Sequence, residues 1–226
     1  MADIQNRISI QVGLSGYSFK IEDSGVLSSS GWMGSESVFT VKELQKRYSQ
    51  VDISVLTPYC TLVPQDFHTP ESSREQLSAV VNLPEDAVVD SVPVPEFASV
   101  LIYSTSVGGT LHRVLAESVR LTDSNKVRPF PEMYYMLRDV FNLPDYNRIL
   151  ASYMDGVLYL VVAQGKTLML CNSFRAPDFT TAEYFIFMVL KKLQLNPEMS
   201  TITFRTPLTD EQEISLYRYF KSVDTI

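Results

Sequence analysis

The fold of this 226-residue chain is decided by a stretch near its N-terminus, Ile8–Ile21, whose sequence is ISIQVGLSGYSFKI. Apolar and polar residues alternate through its first half, which is the period-2 pattern of a half-buried strand. The aromatic residues Tyr17 and Phe19 resume the alternation in the second half. Gly13 and Gly16 bracket the segment between them, and we expect these glycines to supply the positive φ angles that tight turns need. The stretch therefore predicts a β-hairpin.

A second hairpin is predicted late in the chain. Residues 148–154 and 157–164 flank the turn sequence Asp155-Gly156, and residues 167–174 form a third predicted strand. Each half of the chain then continues with a capped helix, a strand and a helix. This repeated order predicts a duplicated, mixed α/β fold. By analogy of architecture it resembles two ribonuclease-H-like halves, as in the actin-like ATPase fold.

The predicted boundary between the halves is the helix-breaking segment Asn142–Asp145. It divides the chain into a first ribonuclease-H-like half, residues 1–145, and a second, smaller half, residues 146–226.

Several local signals predict further elements. Residues 37–39 are predicted as a strand, residues 84–95 as an irregular connection, and the capping box at Thr40 as the start of a helix reaching residue 49. A second capping box at Thr180 predicts a helix, and Thr209 predicts the last one. The predicted inner faces of these last two helices comprise Phe185, Met188, Val189 and Leu193, and Ile214, Tyr217 and Phe220.

Composition limits the classes of partner. A net charge of −7 and a pI near 4.9 argue against nucleic acid, because binding phosphates requires a clustered Lys/Arg face. The polar N-terminus has no apolar signal core, and no apolar run reaches the ~20 residues that span a bilayer. We therefore expect a cytoplasmic protein without membrane insertion. Cys60 and Cys171 lie in apolar segments and are expected to be reduced, buried thiols.

Three pieces of the chain carry a family resemblance. The segment Ser9–Phe19, the sequence TLVP at residues 61–64, and the sequence LCNSF at residues 170–174 followed by LNPE at 195–198 occur in this order. Together they resemble an uncharacterised bacterial family with an actin-like ATPase fold, across nearly the whole chain. The resemblance implies that fold and carries no assigned activity.

Active actin-like ATPases bind phosphate with two hairpins of the form Asp-x-Gly, in which the aspartate holds the metal and the attacking water. In this chain Gln11 stands at the first of these positions and Ser152 at the second. Asp155 is the one acid near the second hairpin, and a turn role before Gly156 is the expected one. The candidate cleft residues are therefore Gln11, Gly13, Ser15, Gly16, Ser152, Asp155 and Gly156.

These substitutions predict a non-catalytic interaction or scaffold protein, with no metal, no cofactor and a protein partner of unknown identity. They also argue against a ribonuclease-H-type nuclease, which needs a carboxylate cluster around two metals. The alternative is a nucleotide-binding switch or weak ATPase that binds Mg-ATP through the turns Gly13–Gly16 and Asp155–Gly156.

The single tryptophan, Trp32, lies in a loop of small polar residues. Such a large apolar side chain is expected to dock, either onto Tyr17 or Phe19 of the first hairpin or onto a second copy or another partner. Self-association is thus one possibility that the sequence leaves open.

Overall fold

The computed structural model describes residues 6–106, 109–123 and 126–226. Its strands are β1 Asn6–Val12, β2 Tyr17–Asp23, β3 Val26–Ser29, β4 Arg47–Tyr48, β5 Gln50–Val55, β6 Cys60–Pro64, β7 Asp90–Val94, β8 Ser99–Tyr103, β9 Arg120–Leu121, β10 Phe130–Pro131, β11 Asn147–Met154, β12 Val157–Gln164, β13 Thr167–Arg175, β14 Thr201–Phe204 and β15 Ser222–Thr225. Its α-helices are α1 Ser73–Ser78, α2 Leu111–Ser118, α3 Glu132–Asp139, α4 Phe179–Lys192 and α5 Asp210–Tyr217.

The chain divides into two compact units. Unit 1 comprises the residues up to Thr57 together with Thr105–Glu132, and unit 2 comprises Pro58–Ser104 together with Met133–Ile226. The predicted division at residue 145 follows the repeat along the chain and stays a prediction, whereas the compact units assign Pro58–Ser104 to the same unit as the C-terminal residues.

Unit 1 contains a five-stranded sheet in the order β10-β5-β1-β2-β3. The first three strands form an antiparallel meander, while β5 pairs parallel with β1, and β10 pairs parallel with β5. The alternating apolar residues of the opening stretch are buried in the core of this unit. The hairpin predicted from Ile8–Ile21 is thereby confirmed.

Unit 2 contains a five-stranded sheet in the order β13-β12-β11-β14-β15 and a three-stranded sheet in the order β6-β8-β7. In the larger sheet β11, β12 and β13 form an antiparallel meander, and β14 and β15 add in parallel. Helices α4 and α5 contribute Ile186, Val189 and Leu216 to the core of this sheet.

The two five-stranded sheets therefore have the same order and the same strand directions: three antiparallel strands, then two parallel strands beside the first. This is the duplicated ribonuclease-H-like plan that the sequence predicts. The smaller sheet, β6–β8, lies in the chain between the fourth and fifth strands of the first copy.

Two predictions between residues 35 and 49 are wrong. Residues 37–39 are not a strand, because the 3-10 turn Ser35–Ser37 runs into a further turn over residues 38–40. The helix predicted from Thr40 is only the 3-10 turn Glu43–Gln45 followed by β4. The Thr40 hydroxyl donates to the Ser37 carbonyl, so it does not cap a helix. Arg47 and Tyr48 pair instead with Arg120 and Leu121 of β9, and this tertiary pairing outweighs a local cap worth about 1 kcal/mol.

Three further predictions are corrected. Residues 84–95 are not wholly irregular, because they contain β7, whose Pro93 is tolerated on an edge strand. Helix α4 is capped by Asp178 rather than Thr180, and its buried residues are Ala182, Ile186, Val189 and Leu190. In α5 the cap at Thr209 is confirmed, but Leu216 is buried while Ile214 and Tyr217 are exposed.

Candidate functional site

The first hairpin turn closes with a backbone hydrogen bond. Val12 and Tyr17 are the last paired residues of β1 and β2, and the Gly13 N–H donates to the Gly16 carbonyl at 2.9 Å. Neither Gly13 nor Gly16 has the positive φ expected from the sequence. Gly16 is needed for another reason: a Cβ atom there would lie 2.0 Å from the Met33 carbonyl oxygen.

Trp32 docks within unit 1, on the turn of this hairpin. Its indole N–H donates to the Ser15 hydroxyl at 3.2 Å, and the following residue, Met33, bridges to Tyr17 through two backbone hydrogen bonds of 2.7 and 2.8 Å. The indole N–H therefore contacts the turn of the hairpin, at Ser15. The Ser15 hydroxyl, a predicted phosphate contact, already accepts a hydrogen bond from the chain.

A polar group lies where the parallel strands of unit 1 end. Gln11 is opposite Ser54 in the pairing of β1 with β5, and Ser54 is opposite Phe130 in the pairing of β5 with β10. Helix α3 begins at Glu132, directly after β10. The carboxyl ends of parallel strands are the usual ligand-binding edge of an open α/β sheet, so these residues occupy the expected position for a site.

The side chains of Gln11, Ser54 and Glu132 form a buried hydrogen-bond network. The Gln11 amide donates to Glu132 Oε1 at 3.0 Å, and the Ser54 hydroxyl donates to Glu132 Oε2. Glu132 is fully buried, while Ser54 and Gln11 are 3% and 6% exposed. The Gln11 Oε1 atom is also buried and has no hydrogen-bond partner among the residues that the structure describes. Gln11 thus acts here as a hydrogen-bond donor, and its bond to Glu132 offsets part of the free energy that burying a carboxyl group costs.

The second hairpin, in unit 2, has a two-residue turn between Met154 and Val157. Both turn residues have positive φ, 52° at Asp155 and 73° at Gly156, as a type I′ turn requires. The Asp155-Gly156 sequence is accounted for by that conformation, which is the role expected for Asp155.

Ser152 lies two residues before the end of β11 and is fully buried. Its neighbour Tyr153 is fixed on both sides, because its N–H donates to Thr206 Oγ1 at 2.9 Å and its hydroxyl donates to the Ala176 carbonyl at 3.1 Å. Because residue 152 is a serine, no carboxylate occupies the strand position at which an active hairpin has its aspartate.

The structure thus groups four predicted site residues, Gln11, Gly13, Ser15 and Gly16, at one hairpin of unit 1. The other three, Ser152, Asp155 and Gly156, lie at the hairpin of unit 2. Sequence reasoning missed Ser54 and Glu132. The available signal was that both follow apolar stretches at strand ends, but Glu132 is 121 residues from Gln11, and the chain alone does not bring them together.

No group of three or more His, Cys, Asp or Glu side chains that could hold a metal ion occurs within residues 6–106, 109–123 and 126–226. Cys60 and Cys171 lie in unit 2 as half-buried thiols. Burial raises the pKa of Cys60 to about 12 and raises the pKa of Cys171 as well. In the described part of the chain no helix is long and apolar enough to cross a membrane.

Comparison with known proteins identifies the family and the fold. A family model described as protein of unknown function (DUF3822) matches residues 34–223. No curated protein sequence matches the chain.

Two solved structures share its fold. A Bacteroides thetaiotaomicron protein with an actin-like ATPase fold and unknown function is 17% identical, with a TM-score of 0.66 over 100% of this chain and 94% of that one. The PilM–PilN type IV pilus biogenesis complex contains a chain that is 13% identical, with a TM-score of 0.52 over 97% of this chain and 88% of its own length. The chain therefore has an actin-like ATPase fold.

Proposed function

The chain belongs to the DUF3822 family of proteins of unknown function, and from this premise we propose that it is a non-catalytic interaction or scaffold protein built on the actin-like ATPase fold. The observation that carries the proposal is the hydrogen bond from the Gln11 amide to Glu132. A catalytic actin-like hairpin places a metal-binding carboxylate where this chain has Gln11. A neutral amide gives Mg²⁺ far weaker electrostatic stabilisation than a carboxylate does.

The surroundings of Glu132 support the same proposal. Both of its oxygens accept hydrogen bonds from neutral donors of unit 1, and the side chain is shielded from solvent. Recruiting this carboxylate to a hydrated Mg²⁺ would break the Gln11 and Ser54 hydrogen bonds. Each bond lost inside the protein leaves a buried polar group unsatisfied, at a cost of about 1–3 kcal/mol.

The first hairpin turn supports it as well. The Ser15 hydroxyl accepts a hydrogen bond from the Trp32 indole N–H, and the Gly16 side of the turn is packed against the Met33 carbonyl. These contacts stabilise the turn from within the chain.

The partner that we propose is a protein. The PilM–PilN complex of type IV pilus biogenesis is a precedent for this fold in a protein assembly. We propose a cytoplasmic bacterial setting and expect no nucleic-acid partner, since the net charge is −7.

The direct test is ATP hydrolysis by the purified protein, with Gln11→Ala as the control. We expect both proteins to release phosphate at the same background rate. Hydrolysis by the wild type well above the Gln11→Ala rate would overturn the proposal.

A second candidate, a nucleotide-binding switch or weak ATPase, is favoured by one observation: Glu132 is a carboxylate at the ligand-binding edge of the parallel strands of unit 1. The discriminating variant is Glu132→Gln, which keeps the size of the side chain and removes its charge. Mg-dependent nucleotide binding that this variant abolishes would establish the second candidate.

A further inference from the structure

One face of unit 2 exposes an unusual number of large apolar side chains. On helix α4, Tyr184 is 62% and Met188 39% exposed, and on or just after helix α5, Ile214, Tyr217 and Tyr219 are 59%, 50% and 48% exposed. We call this set, together with Phe187, the α4–α5 surface. Aromatic residues and methionine are enriched in protein interfaces relative to the rest of protein surfaces.

A direct contact joins helix α4 to the segment after α5 within the α4–α5 surface. Phe187 of α4 lies edge-on to Tyr219, with ring centroids 4.9 Å apart, and stacks on Phe220 at 5.9 Å. Tyr184 and Met188 are four residues apart and share the same side of the helix as Phe187. The exposed side chains therefore form a patch rather than scattered positions.

The charges of α4 are separated along its length. Asp178 caps the N-terminus and Glu183 follows in the second turn, whereas Lys191 and Lys192 occupy the last turn. An antiparallel copy of the same helix would place lysines opposite acids at both ends. A two-fold symmetric interface is self-complementary in this way.

We propose that the α4–α5 surface is a dimer interface whose occupant is a second copy of this chain, packed with the two α4 helices antiparallel. The proposal rests on the proposed function, since it names one partner of an interaction protein. Glu183 and Lys191 lie four residues before and four residues after Phe187. A two-fold axis at the level of Phe187 therefore brings Lys191 of each copy to Glu183 of the other, and it places Met188 of each copy between its counterpart and Tyr184 of the other copy.

The test is a charge reversal followed by light scattering of the full chain. We expect the wild type to have the mass of a dimer. Glu183→Lys and Lys191→Glu should each shift the mass toward the monomer, because each places like charges together, and the double variant Glu183→Lys/Lys191→Glu should restore the dimer. Circular dichroism verifies that each variant is folded.

Met188→Lys tests the apolar centre of the patch, with Met169→Lys as the matched control. The two methionines are equally exposed, at 39%, and Met169 lies on strand β13 rather than on the α4–α5 surface. We expect Met188→Lys to weaken dimerisation about tenfold or more, as loss of a central interface residue does, and Met169→Lys to leave it unchanged.

A monomeric wild type at the highest soluble concentration would overturn the inference, as would a double charge reversal that stays monomeric although folded. Either result would leave the proposed function standing, because that proposal depends on nucleotide chemistry at Gln11 and not on self-association. If the wild type is a dimer and hydrolyses ATP, the proposed non-catalytic function is wrong, whereas the inferred dimer interface is supported.

Discussion

At the scale of single residues, Gly16 shows how a correct motif can have an unexpected cause. The sequence places a glycine at the end of the hairpin turn, and the expected reason is a positive φ. In the structure the reason is steric, because the Met33 backbone occupies the space that any Cβ would take.

Gly16→Ala should therefore destabilise the protein. The new Cβ would lie 2.0 Å from the Met33 carbonyl oxygen, so the segment around Trp32 must move. We expect a loss of about 1–3 kcal/mol in the free energy of unfolding, measured by urea denaturation. Gly109→Ala is the control, since a Cβ there meets nothing within 4 Å. Equal stability of the two variants would contradict the steric account.

His112 of helix α2 provides a pH-dependent prediction. Burial lowers its pKa below the ordinary value of 6.5, with a smaller contribution from Arg113. As pH falls below 6.5 the unfolded chain takes up a proton that the folded protein does not, so this residue makes stability decrease, by at most about 1.4 kcal/mol per pH unit. His112→Gln should flatten the dependence of unfolding free energy on pH between about 7.5 and 5.5. An unchanged slope in the variant would show that His112 does not contribute.

At the scale of elements, the predictable parts are those that local chemistry determines. The Asp155-Gly156 turn was predictable because a two-residue hairpin turn needs positive φ at both positions. The helix predicted at Thr40 failed because Arg47 and Tyr48 pair with β9, a strand more than 70 residues away in the sequence. Strand β15 has only four residues, and its pattern is too short to be recognised without its partner β14.

The candidate site was predictable only in part, for a related reason. The glycines and Gln11 belong to one continuous stretch with its own pattern. The Glu132 carboxylate reaches Gln11 only because β1, β5 and β10 are adjacent in the sheet, which is a consequence of tertiary pairing.

Trp32 docks on the turn of the first hairpin, and its substitution tests what this contact contributes. Trp32→Ala removes the hydrogen bond to Ser15 and a half-buried ring from the turn. We expect the free energy of unfolding to fall by about 1–3 kcal/mol, while the mass in solution stays that of the wild type. A stable variant with a lower mass would instead show that Trp32 anchors an interface.

At the scale of the whole molecule, the two five-stranded sheets show that the fold depends on other residues than those that would carry out chemistry. Both five-stranded sheets repeat the same order and directions, and the topology follows from hydrophobic patterning and turns in each copy. The residues that would perform chemistry occupy only a few positions at the strand ends, and these can change without altering the sheet. Gln11 and Ser152 are such positions, and the fold is retained with both.

The most direct measurement of the central claim is the thermal stability of the wild type with and without millimolar Mg-ATP. A nucleotide at ~100 times its dissociation constant would stabilise the native state by about 2.7 kcal/mol, which is readily detected. The account predicts no change in unfolding temperature with ATP, ADP or GTP. A clear increase with Mg-nucleotide that disappears in Glu132→Gln would contradict it, and would identify this chain as a nucleotide-binding protein.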